Sequence, residues 1–319
     1  MTSLFTPVSQ EKLLIDLQER KLDYYNGLTE ELHVLHSFEP DRDFQSFISE
    51  LGEGKKNQWH HGQRERFQGG VIMVIHDINQ NKREVNLLIH PMNFSGKMMM
   101  DSMAKELGCE YRYIVPDLSG HGEAKDNLYV STAEEAATLA HYLKEHDPCT
   151  IKLAFGASLG GGVLFELLQD QSLHFQKLFF EGTSFFEQAG LLSKTLEHVF
   201  LNKQKKARQD LKPVIDKVAK RYGIYANMLV DTLVTMDKQS IKNIVYDCGH
   251  ICLPHLSEDT QQDTIFSYGD KDPNVGHARR SIKKHYPKAK LKIWQGYGHC
   301  EEMTQNTEAY MAFVKGCMD

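Results

Sequence analysis

Along residues 71–182 the chain switches repeatedly between two hydrophobic periods. The runs "VIMVIHD" (71–77), "EVNLLIHP" (84–91), "YRYIVPD" (111–117), "IKLAFG" (151–156) and "KLFFEG" (177–182) are short, apolar or alternating, and bounded by polar or glycine-containing segments. That is the pattern of strands. Between them, "KMMMDSMAKELG" (97–108), "TAEEAATLAHYLKEH" (132–146) and residues 159–170 repeat apolar positions every three or four residues, as helices do. The same alternation returns in "DTIFSYGD", "ARRSIKKHY", "KLKIWQG" and "EAYMAFVKG" near the C-terminus. Strands alternating with helices predict an α/β fold with a mostly parallel sheet covered by helices on both faces. The polar "NQNK" between the first two runs predicts that these two form a hairpin.

Two regions break the alternation. Residues 1–66 read as an N-terminal helical extension, with Leu13, Leu14 and Leu17, then Phe44, Phe47, Ile48 and Leu51, at helical spacing. It ends in the polar, glycine-bounded stretch "GKKNQWHHGQRERFQGG", which reads as a connection. Residues 183–245 contain three helical patterns and no strand, so they read as a helical insertion into the core formed by 67–182 and 246–319. An insertion at the edge of a sheet, where loops gather, is a candidate cap or lid.

Composition narrows the class without naming an activity. Of 319 residues, 41% are hydrophobic and 25% charged, the balance of a globular chain with a large core. The net charge of −6 carries no signal for nucleic acid as a partner. The start, "MTSLFTPVSQEKLL", lacks a basic segment followed by an apolar run, and no stretch has the length of a membrane span. A cytoplasmic location is therefore the expectation, with the mode of assembly left open, a homodimer included. The six cysteines are scattered and read as free thiols. "CGHICLPH" gathers Cys248, His250, Cys252 and His255, but no second cluster completes a zinc pattern, and no metal is expected.

The chemistry-bearing position is the joint in "IKLAFGASLGGGVLFELLQD". Gly156-Ala157-Ser158-Leu159-Gly160 fits G-x-S-x-G at a change from strand to helix, where a sharp turn lifts a serine hydroxyl above the sheet edge. A serine needs a base. Of sixteen histidines, His299 in "WQGYGHCEE" follows the last strand in a glycine-containing loop, a placement that His60, His61, His121, His250 and His255 do not share. The base in turn needs a carboxylate to orient it. "FSYGDKDPN" offers Asp270 and Asp272 just past a strand; Asp272 reaches further toward the next loop, and Glu181 is held in reserve.

With these motifs in order, "VNLLIHPM…YIVPDLSGHGEA…FGASLGGG…YGDKDP…GYGHCE", residues 70–319 resemble the α/β-hydrolase superfamily, more narrowly its capped, bacterial-type members. The resemblance implies Ser158 as nucleophile, Asp272 as acid and His299 as base. It also implies an oxyanion hole made by the backbone N–H groups of Leu159 and of a residue after "LLIH". Many relatives have His-Gly where this chain has His90-Pro91; proline has no N–H, and the family position falls on Met92. His121, in "PDLSGHG", is implied to be structural. The resemblance implies no cofactor and leans toward cleavage of a carboxylic ester, with thioester or amide as further choices. An acyltransferase or lyase using the same three residues, and a non-catalytic binding protein, remain the rival readings.

The expected substrate pocket is bordered by Asn93, Phe94, Phe185, Phe186 and Met228, with Met98, Met99 and Met100 as adaptable wall or plain core. A small to medium, largely apolar substrate fits that lining. Nine Lys/Arg against three Asp/Glu between Lys194 and Arg221 make the insertion basic. This reads first as the solvated face of an amphipathic helix, and otherwise as an attractor of anionic substrates.

Overall fold

The computed structural model describes residues 63–66, 72–146 and 150–318. The N-terminal extension therefore lies outside the described residues, apart from its last four positions, and so does Cys149. The described residues form an eight-stranded sheet in the order β1-β2-β4-β3-β5-β6-β7-β8. The strands are β1 Gln63–Arg66, β2 Ile72–Ile78, β3 Val85–Ile89, β4 Arg112–Asp117, β5 Thr150–Ala157, β6 His174–Glu181, β7 Thr264–Gly269 and β8 Lys290–Trp294. From β4 to β8 every neighbouring pair is parallel; β2 is antiparallel to both β1 and β4.

Two expectations change here. β2 and β3 are not a hairpin. The chain does reverse at Asn79, whose carbonyl accepts from the Lys82 N–H at 2.8 Å, but β4 then lies between the two strands. A turn signal reports a change of direction and says nothing of which strand fills the gap. The stretch read as a polar connection contains β1, an edge strand paired only with β2, so the sheet begins before residue 67. An edge strand with one neighbour needs no apolar run, which is why "QRER" carries no strand pattern.

The helices are α1 Gly96–Met99, α2 Lys105–Leu107, α3 Thr132–Glu145, α4 Leu159–Leu167, α5 Gly190–Gln209, α6 Leu211–Tyr222, α7 Ala226–Thr235, α8 Lys238–Cys248, α9 Glu258–Gln262, α10 Val275–His285, α11 Glu302–Gln305 and α12 Thr307–Gly316; a π-helical turn, Met100–Ala104, joins α1 to α2. They sandwich the sheet. Alternate residues of one strand feed opposite cores: Leu178 and Phe180 of β6 meet Phe165 of α4 and Tyr286, while Phe179 between them meets Tyr310 of α12. The five residues of β3 are all buried, as two covered faces require.

Helices α5 to α8 lie between β6 and β7 along the chain, although the two strands are adjacent in the sheet. The insertion read as ending at 245 continues to Cys248, because α8 is one unbroken helix capped by the Asp237 carboxylate on the Gln239 N–H. Ile241, Ile244 and Val245 of α8 join the main core and anchor the inserted helices to it. Between α6 and α7 the chain turns at Gly223, with φ of 52°. Among the described residues no helix is long and apolar enough to cross a membrane.

Candidate active site

Ser158 sits at the carboxyl end of β5 with φ 49° and ψ −108°, outside the region that side-chain-bearing residues favour. The strain persists because the surroundings are locked. The Ser158 N–H donates to the Glu181 carbonyl at 2.7 Å. A Cβ at Gly156 would lie 2.6 Å from the Gly160 carbonyl oxygen, and one at Gly160 would lie 2.3 Å from that of Ile89. Both flanking glycines are therefore required by close backbone approach.

The loops after β7 and β8 bring the other two groups in. His299 Nε2 lies 2.9 Å from Ser158 Oγ, and His299 Nδ1 lies 2.8 Å from Asp272 Oδ2. Asp272 is 1% exposed, and its other oxygen accepts the Asn274 N–H at 2.7 Å, so both lone-pair faces of the carboxylate are engaged. Asp270 does something else. Its Oδ1 accepts from the Gly296 N–H at 2.7 Å and its own N–H donates to the Trp294 carbonyl, bracing the loop that carries His299. Glu181 is fully buried nearby, with Oε2 3.1 Å from the Tyr310 hydroxyl. Burial pushes its carboxyl up to about 8, so it is protonated at neutral pH and does not hold the imidazole.

Burial opposes protonation of His299, but its contacts with Cys300 and with Asp272 outweigh that, and its pKa lies well above the usual histidine value. The Cys300 thiol is itself pushed up to about 11 by burial, so it is neutral at pH 7. The charge that favours the imidazolium is that of Asp272. His121 is the opposite case: burial and the neighbouring His90 ring lower it to about 3. Its Nδ1 lies 3.0 Å from the Ser119 carbonyl, and it faces the His90 ring at 4.9 Å. His250 stacks on Tyr246, and His255 is exposed. Among the described residues no three His, Cys, Asp or Glu side chains gather as a metal site, and His60 and His61 lie outside them.

Leu159 begins α4, so its N–H belongs to the first helical turn, whose donors have no intrahelical acceptor. The loop after β3 lies against this helix start, as the close approach of Gly160 to Ile89 shows. Here the chain turns back on itself, with the Phe94 N–H donating to the Pro91 carbonyl at 3.1 Å and Asn93 at φ 69°. His90 pins the loop. Its Nε2 accepts from the Leu118 N–H at 3.1 Å, which leaves Nδ1 protonated to donate to the Pro91 carbonyl at 2.8 Å.

Ser158 and His299 open into a cavity of about 270 Å³ that Met92, Asn93, Phe94 and Phe186 border. Two expected wall residues are not there. Phe185 is 1% exposed and packs on Phe165 and Phe266, because adjacent residues leave the chain in opposite directions. Met228 is 38% exposed on the outer face of α7, while Leu229 and Val230 turn inward. Met98 is buried beneath Phe94 and Leu229, and Met99 belongs to the core on the other sheet face. The sequence reading missed Tyr222, whose hydroxyl donates to the His299 carbonyl at 3.0 Å, as well as Asn274, Cys300 and the buried Lys217. Cys300 had one signal, adjacency to His299.

No protein-family model matches the sequence, and no curated protein is similar to it at a significant level. Solved structures do match. An esterase from Exiguobacterium antarcticum aligns with TM-score 0.62 at 14% identity over 81% of this chain and 99% of that one. A thermophilic esterase from Thermogutta terrifontis aligns with TM-score 0.59 at 16% identity, covering 82% and 100%. A bromoperoxidase from Bacillus anthracis aligns with TM-score 0.59 at 16% identity, covering 80% and 100%. With the strand order above, these matches establish that the chain has the fold of the α/β-hydrolase superfamily.

Proposed function

We propose that this protein is a serine hydrolase that cleaves a carboxylic ester of small to medium size through an acyl-enzyme on Ser158. The observation that carries the proposal is the continuous Ser158–His299–Asp272 relay, with both links within hydrogen-bond distance at the floor of a largely apolar cavity. In the first half-reaction Oγ attacks the carbonyl carbon as its proton passes to His299 Nε2. The negative charge on the former carbonyl oxygen is met by the N–H groups of Leu159 and Met92. Collapse breaks the bond to the alcohol, which leaves with the proton from His299. Water then attacks the acyl-enzyme, giving a proton to His299, and the acid is released as the proton returns to Ser158. Asp272 stays ionised throughout, holding the imidazole with Nε2 toward the serine.

The cavity volume sets the substrate size. The volume of about 270 Å³ suits an acyl group of small to medium size. The inserted helices act as a cap over this space. A panel of p-nitrophenyl esters of increasing acyl length tests the reading: turnover is expected to peak at short to medium chains and to fall by about 10⁴ or more in Ser158→Ala. Wild-type protein that hydrolyses none of the panel contradicts it. Adding an alcohol acceptor separates the transferase alternative, which requires a new ester product in place of the free acid.

A further inference from the structure

His299 is carried by a short, tightly turned loop. Gly296 and Cys300, at φ of 93° and 54°, bend the chain on either side of it. Glu301 closes the turn. Its Oε2 accepts the Gly298 N–H at 2.7 Å, across His299 and Cys300. Its own carbonyl accepts from the Thr304 and Gln305 N–H groups at 3.0 and 2.9 Å, where α11 begins. The side chain is thus anchored at a helix start and reaches back over the loop. Glu301 is 9% exposed, and the fit is close: a Cβ at Gly298 would lie 3.0 Å from its carboxyl carbon.

The other carboxylate oxygen meets α6. Oε1 lies 3.4 Å from Arg221 Nε. Two further contacts join the same helix end to the same segment. The Tyr222 hydroxyl donates to the His299 carbonyl, and Gln305 Nε2 donates to the carbonyls of Lys220 and Arg221. Those carbonyls lie in the last turn of α6, where no intrahelical N–H follows to meet them. Glu301 alone in this set bonds both to α6 and to the backbone just ahead of His299. It does not line the cavity, so it acts through the loop rather than on substrate.

We propose that Glu301 is a positioning residue for the base: by joining the Gly298 N–H to Arg221, it ties the alignment of His299 to the seating of α6. The proposal rests on the hydrolase reading for the task of His299 and on these contacts for its geometry. A carboxylate shared between an N–H and a guanidinium makes charge-assisted bonds, stronger than neutral ones, and a loop this short transmits their loss directly to the imidazole. Misdirection of Nε2 lowers the rate of the chemical step while leaving substrate binding nearly as it was.

The test has two readouts. In steady-state kinetics on a short p-nitrophenyl ester, Glu301→Ala, which loses both bonds, is expected to lower kcat about thirtyfold with KM within about twofold of wild type. Glu301→Gln keeps an oxygen for the Gly298 N–H but loses the charge that meets Arg221, and kcat should fall about fivefold. Arg221→Met should lower kcat by a similar factor, and the two combined by no more than either alone, since both break one link. The second readout needs no turnover. It is the low-field proton resonance of His299 Nδ1–H bonded to Asp272, identified by its loss in His299→Ala. The resonance should be sharp in wild type and Glu301→Gln, and broadened or lost in Glu301→Ala. Wild-type kcat and a sharp resonance in Glu301→Ala overturn the proposal. So does a loss confined to KM, or losses that multiply in the Glu301→Gln/Arg221→Met variant, which also decides the matter if Glu301→Ala fails to fold. Wild-type protein that turns over no ester sinks the hydrolase reading, while the resonance still judges the positioning role.

Discussion

The hydroxyl of Tyr222 donates to the main-chain carbonyl of His299 at 3.0 Å. A residue of the inserted helices thereby holds the backbone of the residue whose imidazole meets Ser158. Edge-on contact of the Tyr222 ring with Phe94, at 6.2 Å, links the same side chain to the loop after β3. The inserted helices are thus tied both to the loop that carries His299 and to the loop after β3. Tyr222→Phe removes the hydrogen bond and keeps the ring. Losing about 1 kcal/mol of positioning should lower kcat/KM about fivefold, and steady-state kinetics on a short-chain ester checks it.

In the proposed mechanism the protonation of His299 sets the pH dependence. The imidazole must be neutral to accept the serine proton, and Asp272 holds its pKa well above 6.5. Activity should therefore be lost on acidification at a higher pH than for an ordinary histidine, with kcat/KM still rising above pH 6.5. Asp272→Asn removes the charge that favours the imidazolium, so the acid limb moves to lower pH while the plateau falls by about 10⁴. A pH–rate profile of both proteins makes the comparison; an unmoved limb contradicts the assignment of Asp272.

Backbone contact at the serine turn gives a prediction about glycine. Gly160→Ala places a Cβ 2.3 Å from the Ile89 carbonyl oxygen, with that of His90 at 2.8 Å. Rigid backbone on both sides cannot absorb the clash. A destabilisation of about 3 kcal/mol is expected, read from the urea midpoint at constant slope, with activity falling further because the proposed oxyanion donors shift.

Glu181 couples stability to pH. Its carboxyl titrates near 8 in the folded protein against the usual 4.5, so the folded state holds the proton more tightly. Its contribution is full below about pH 4.5 and is lost as the pH rises through about 8. Glu181→Gln mimics the protonated form. The variant should melt higher than the wild type at pH 8 and above, with the difference vanishing toward pH 5, in thermal unfolding curves.

How much of this was legible in the chain varied with how local the signal was. The strand-to-helix switch at Ser158 is written into consecutive residues, and Asp272 and His299 each follow a strand end, where parallel sheets gather their loops. The fold brings these three side chains within hydrogen-bond distance. Spatial order was not legible: the antiparallel contact of β2 with β4 depends on residues about forty apart, and nothing near Asn79 records it. Nor was the side from which a residue is used. Phe185 and Phe186 look alike in sequence and part company in space, and Lys217 differs from Lys220 only by its angle around α6, which turns one inward and leaves the other exposed.

Labelling by a fluorophosphonate probes the central claim most directly, because the reagent modifies only a serine made nucleophilic by its surroundings. Mass spectrometry of the digested protein is expected to find a single adduct on Ser158, absent in Ser158→Ala and strongly slowed in His299→Ala. Folded wild-type protein that stays unlabelled, or an adduct on another serine, would contradict the relay as the source of activity.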